Sequence, residues 1–196
     1  MEWSILFAGP VGAGKTQAIR TISDIDVVGT EEGATDEVAQ LKDNTTVAMD
    51  MGLMRLDGGD KVRLYGAPGQ KRFDFMWDIL LEQACGLVVL VDHSRPDPVG
   101  DMRFYLSQMH ERMGGRLVPV VLGVTHIDFV ERCDLSAYHA ELQSHPSILG
   151  GAACPVLAVD ARSRRDVKAL LLALTAMLDM SERFPWRLDS GRKFHA

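Results

Sequence analysis

A chain of 196 residues is long enough for one well-buried domain and too short for two. Its 46% hydrophobic and 24% charged residues describe a soluble globular protein and exclude a disordered or coiled chain. The net charge of −6 excludes a nucleic-acid surface as its main business. Residues 3–8, WSILFA, then form a short apolar run of strand type. It delivers the chain to GPVGAGKT at 9–16, a complete G-x-x-x-x-G-K-T phosphate-binding loop. Gly12 and Gly14 let the backbone curl so that successive N–H groups point at phosphate oxygens. The phosphate-binding set is Gly9, Gly12, Ala13, Gly14, Lys15, Thr16 and Gln17. Lys15 supplies a point charge for the β/γ-phosphates, and Thr16, at the head of a helix over 15–23, offers its hydroxyl to Mg²⁺. The loop predicts a bound nucleoside triphosphate.

A polar stretch at 28–44, expected to be mobile, comes next. Strand-like runs at 46–56 and 61–65 flank Asp57-Gly58-Gly59-Asp60, a hairpin signal. The continuous apolar runs at 87–91 (LVVLV) and 118–124 (VPVVLGV) predict strands buried on both faces. Between them Met102, Tyr105, Leu106, Met109 and Met113 recur at helical spacing, read as core packing. A last strand is expected at 155–159, then a helix with Val167, Leu170, Leu171, Leu174 and Leu178 on one face. This β-α order with one antiparallel hairpin predicts an α/β fold: a mostly parallel six-stranded sheet, helices on both faces, ligands at the carboxyl ends of the strands. No internal repeat or low-complexity segment interrupts it.

Cys85, Cys133 and Cys154 are odd in number and widely spaced, which suggests a reducing compartment and offers no zinc spacing. The phosphate loop stands where a secretory leader would be cleaved, no apolar run is long enough to span a membrane, and no lipidation signal marks either end. A cytoplasmic protein is expected.

Four later segments bear on the ligand: YGAPGQKRF at 65–73 after a strand, NTTVAMD at 44–50 opening one, VTHID at 124–128 closing a buried one, and VDAR at 159–162. With the phosphate loop they make the chain resemble a Ras-like small GTPase over essentially its whole length. More narrowly it is similar to the bacterial small GTPases that work with roadblock-type partners, including the gliding-motility polarity group. The resemblance implies a GTP/GDP switch with Mg²⁺ as cofactor, slow hydrolysis, a roadblock-type regulator and an effector. It implies a domain over 1–182 and leaves a basic, aromatic tail at 183–196, expected to pack back on the domain; a docking strip for a partner or an acidic lipid surface is the other reading.

By the same resemblance Gly69 contacts the γ-phosphate and Gln70 orients the attacking water, with Lys15 the third catalytic residue. Thr46, with Thr45 in reserve, joins Thr16 on the metal. Asp128 accepts from guanine N1–H and N2–H₂, a donor pair adenine lacks; a helix cap is its plainer role. Thr125 and His126 stand where the family has Asn and Lys, and Ala161 and Arg162 complete the base site. The sequence departs from the family pattern in two further places. Val11 adds bulk inside the loop, and Gly66 stands where an Asp normally supports Mg²⁺ through water. Asp92, closing the run VLVD, resembles a Walker B carboxylate; a structural role at the strand end is preferred, with Asp92 the candidate substitute at the metal. Arg72 and Arg55 are the arginines near enough in sequence to be weighed as a finger. The alternatives are a P-loop ATPase or kinase using Asp92, and a nucleotide-binding structural subunit with negligible hydrolysis.

Overall fold

The three runs that lack apolar–polar alternation form the middle of one sheet. The computed structural model describes residues 2–27, 49–56, 59–69, 75–130, 134–149 and 151–183. Within them the strands are β1 (Glu2–Ala8), β2 (Asp50–Arg55), β3 (Lys61–Gly66), β4 (Gly86–Asp92), β5 (Val120–Thr125) and β6 (Val156–Ala158), ordered β2-β3-β1-β4-β5-β6. The central β4 and β5 are buried almost throughout, as strands covered on both faces must be. Every pairing is parallel except β2 with β3, whose register runs from Asp50 opposite Gly66 to Arg55 opposite Lys61. The fold is therefore the expected α/β, P-loop type of mostly parallel six-stranded sheet, with one antiparallel pair.

Alternation reappears as a division between two cores, because successive strand residues point to opposite faces. On one face Ile5, Phe7, Val88 and Leu90 meet α1 (Lys15–Ile22) and α5 (Arg164–Arg183) through Ile19, Leu170 and Leu174. On the other, Leu6, Ala8, Leu87 and Val89 meet α2 (Phe75–Gln83) and α3 (Pro98–Arg112) through Trp77, Leu80, Met102 and Met109. Both predicted helical stripes are thus core, although Met113 lies just past α3 as its C-cap. The start of α3 is written locally: Pro98 occupies its first turn and Asp97 accepts a hydrogen bond from the Gly100 amide at 2.8 Å. A further helix, α4 (Ser136–Ser144), packs against α3.

This topology decides where a ligand can sit. The loops after β1, β3, β4, β5 and β6 all emerge at one edge of the sheet. Antiparallel β2 begins at that same edge, so Asp50 joins it while Arg55 lies at the opposite, hairpin end. Arg55 is therefore too far from the phosphate loop to act as a finger. The polar stretch at 28–44, Thr45, Thr46, Gln70, Arg72, Cys133 and the tail beyond Arg183 lie outside the described residues. Among the described residues no helix is long and apolar enough to cross a membrane.

Candidate functional site

The phosphate loop is built by backbone conformations its glycines make possible. Gly9, Gly12 and Gly14 all have positive φ, at 136°, 84° and 86°. Gly9 is the most constrained: a Cβ there would lie 2.0 Å from the carbonyl oxygen of Leu90 on β4. The chain can leave β1 pressed against β4 only without a side chain. Gly9→Ala is expected to destabilise the fold by about 3 kcal/mol, combining a forced displacement with a backbone region alanine avoids. A thermal melt checks this, and an unchanged midpoint would mean the loop has room that the structure denies it.

The Ala13 amide then donates to the Pro10 carbonyl at 3.2 Å, and Gly14 is the N-cap from which α1 starts. Lys15, in the first turn, is 8% exposed and folds back over the loop, donating to the carbonyls of Gly9 at 2.8 Å and Pro10 at 2.7 Å. Burial lowers its pKa to about 8, while the nearby Asp50 carboxylate acts in the opposite direction. The Thr16 hydroxyl donates to the Asp50 carboxylate. The exposed Gln17 side chain bonds Thr21 on the same helix, so only its backbone is presented to a phosphate.

Gly69 lies against the phosphate loop. A Cβ on it would fall 2.6 Å from the Val11 nitrogen, 2.8 Å from the Pro10 carbonyl carbon and 2.9 Å from Lys15 Nζ. Two aromatic residues hold this segment from behind. Trp77 Nε1 donates to the Pro68 carbonyl at 3.0 Å, and the Tyr105 hydroxyl donates to the Gly69 carbonyl at 2.9 Å. The rings touch each other, with centroids 5.5 Å apart.

The residues expected at the base gather at the ends of β5 and β6. Thr125 is 1% exposed, and its hydroxyl lies 3.0 Å from the carbonyls of both Ala13 and Val91. It ties the phosphate loop to the two central strands instead of presenting its side chain to a base. His126 has φ 57°, its ring stacks on Phe129 at 5.8 Å, and Phe129 is 70% exposed. Among the described residues Asp128 caps no helix: the short 3₁₀ turn Ile127–Phe129 has no side-chain cap, and the Asp128 carboxylate accepts from Arg162 Nη2 at 2.8 Å. Arg162 also binds both oxygens of Asp160, which holds that carboxyl below the ordinary range. Ala161 reaches the phosphate loop, since a Cβ on Gly14 would sit 3.0 Å from its methyl. The structure thus brings residues 9–16, Gly69, Thr125, Asp128, Ala161 and Arg162 into one neighbourhood.

Asp92 is engaged at the end of β4 through one of its oxygens. Its Oδ1 accepts from the Ser94 amide at 2.9 Å and the Ser94 hydroxyl at 2.6 Å, shaping the turn after β4. The carboxylate that does reach Thr16 is Asp50, which the sequence reading passed over. The hairpin was a partial signal: counting outward from 57–60 pairs Asp50 with Ala67, and the observed register, with Arg55 opposite Lys61, moves it one place to Gly66.

No curated protein matches the chain. A family model described as "Conserved hypothetical ATP binding protein" matches residues 24–179, beginning shortly after the phosphate loop. Its span and the nucleotide-type loop in front of it agree: the chain is a nucleotide-binding protein and belongs to this conserved ATP-binding family.

Proposed function

We propose that the protein is a GTP-binding switch that slowly hydrolyses GTP to GDP and phosphate and reports the bound state to partner proteins. The observation that carries this reading is Gly69, packed onto Val11, Pro10 and Lys15 where a terminal phosphate would lie. A segment in that position senses whether the phosphate is present, and such sensing is how nucleotide switches order and release their loops.

Lys15 binds the β/γ-phosphates, the Gly69 amide meets the γ-phosphate, and Gln70 holds water in line for attack. The oxygens at the head of α1, the Thr16 hydroxyl beside a carboxylate, suit the hard-oxygen preference of Mg²⁺, and Thr46 is the proposed second hydroxyl. Mg²⁺ bound there would neutralise charge on the phosphate oxygens. Arg162, the arginine in this neighbourhood, is bonded to Asp160 and Asp128, and turnover is expected at roughly 10⁻⁴ to 10⁻² s⁻¹, the scale of unassisted GTPases. Exposed apolar side chains, Val11 beside Gly69 and Phe75 and Ile79 on α2, offer a face to a roadblock-type regulator or an effector. A fast, partner-independent rate in single-turnover assays would sink the switch.

Guanine preference rests on the Asp128 carboxylate. A second reading, an ATP-binding NTPase, is favoured by the family description and by Arg162, which already holds one Asp128 oxygen. Titrations with GTP, ATP and XTP separate the two. Under the first reading, Asp128→Asn narrows the GTP-over-ATP preference by about 10- to 100-fold, the cost of a charged hydrogen bond, and improves XTP binding. Tighter binding of ATP than GTP, unchanged in D128N, selects the second.

A further inference from the structure

We infer that Asp50 is the positioning carboxylate for Mg²⁺ at the bound triphosphate, supplied from β2 in place of the side chain missing at Gly66. This rests on the nucleotide-binding reading above but is indifferent to which base is bound.

Three observations place it. Asp50 begins β2, which runs antiparallel to its neighbour β3, so it stands at the sheet edge where the phosphate loop emerges. Its carboxylate accepts the hydroxyl proton of Thr16, the loop residue whose hydroxyl would hold a bound metal. It is also directly opposite Gly66, and residues opposite each other on paired strands project to the same face.

The last point has a steric counterpart. A Cβ built on Gly66 would lie 3.0 Å from Asp50 Cβ and 3.1 Å from Asp50 Oδ2, facing Ile19 of α1 at 3.1 Å. The volume a side chain at position 66 would fill is therefore taken by the Asp50 carboxylate. Side chains at positions 50 and 66 would compete for this space. Mg²⁺ keeps several waters and leans on one or two carboxylates together with phosphate oxygens. A carboxylate that orients the Thr16 hydroxyl and accepts from those waters is what such a site needs, and its outer-shell placement predicts a large effect on metal affinity. Asp92 bonds Ser94 through Oδ1, whereas Asp50 bonds the Thr16 hydroxyl itself.

The test uses the full chain and fluorescent β,γ-imido analogues of GTP and ATP, titrated without Mg²⁺ (in EDTA) and across a Mg²⁺ series. In Asp50→Asn, nearly isosteric, the Mg²⁺ concentration needed for tight binding should rise by about 10- to 100-fold, with EDTA affinity kept. The exchange variant D50G/G66D, which moves the carboxylate across the strand pair, should recover the wild-type Mg²⁺ dependence. A wild-type Mg²⁺ series in D50N overturns the assignment, as does an exchange variant that binds in EDTA but recovers no Mg²⁺ dependence. Binding of neither analogue by the wild type, with or without Mg²⁺, would instead overturn the nucleotide reading itself, and this assignment with it.

Discussion

Lys15→Met is expected to weaken triphosphate binding by about 100-fold or more while leaving the fold intact. The magnitude is that of removing one partner from a buried, hydrogen-bonded charge pair. The ammonium is nearly buried, donates to two loop carbonyls and has a pKa lowered from its ordinary 10.5 to about 8, chiefly by burial. Phosphate bound against it favours the charged form, so binding above pH 8 should take up a proton. Calorimetry in buffers of different ionisation enthalpy measures that uptake directly. The stability consequence has a definite sign. Between pH 8 and 10.5 the unfolded chain holds the Lys15 proton and the folded chain does not, so this group makes the nucleotide-free protein more stable as pH rises through that window. Below pH 8 the buried charge costs at most about 3 kcal/mol, partly offset by its two hydrogen bonds. The melting temperature of wild type should therefore gain on that of K15M between pH 8 and 10. Nucleotide affinity unchanged in K15M would show that Lys15 does not carry the phosphate charge, and a flat difference in melting temperature would show that burial does not lower its pKa.

What could be read in advance follows from which interactions are local. The phosphate loop was legible because its requirements, positive φ at Gly12 and Gly14 and a lysine after them, are properties of consecutive residues. The central strands were legible because burial on both faces leaves an uninterrupted apolar run, as in Leu87, Val88, Val89 and Leu90. Helix α2 was not, because Phe75, Met76, Trp77, Ile79, Leu80 and Leu81 crowd apolar side chains around it and blur the helical period. Its buried side carries Met76, Trp77, Leu80 and Leu81, while Phe75 and Ile79 remain exposed. The residues expected at the base gather near the phosphate loop, but the partners of Thr125 and Asp128 depend on strand and loop contacts across the site that no short pattern encodes. Asp50 and Asp92 show the same limit most clearly. Each ends or begins a strand at the active edge, and only the third dimension turns one toward Thr16 and the other toward Ser94.

Gly69→Ala should separate holding the nucleotide from sensing it. The methyl group would enter space already occupied by backbone atoms of Val11 and Pro10 and by Lys15 Nζ, all within 3 Å. Backbone on one side and a buried ammonium on the other cannot yield as a flexible side-chain end would, so the segment itself must move. Its freedom to do so is limited from behind, because Tyr105 holds the Gly69 carbonyl and Trp77 the Pro68 carbonyl. The strain should be relieved by displacing residues 67–69 from the phosphate loop, which on the switch reading proposed above takes the Gly69 amide away from the γ-phosphate. Diphosphate binding, which uses residues 9–16, should persist near its wild-type strength. Preference for triphosphate over diphosphate should fall, and single-turnover hydrolysis should drop by about 100-fold, as when one charge-stabilising donor is lost. Trp77 supplies the readout, since its indole bonds to the segment that moves: its fluorescence should change between triphosphate and diphosphate in the wild type and not in G69A. A variant that hydrolyses normally and still shifts Trp77 emission with nucleotide would mean that Gly69 packs against the loop without reporting on it. That outcome would leave a nucleotide-binding protein but remove the basis for a switch.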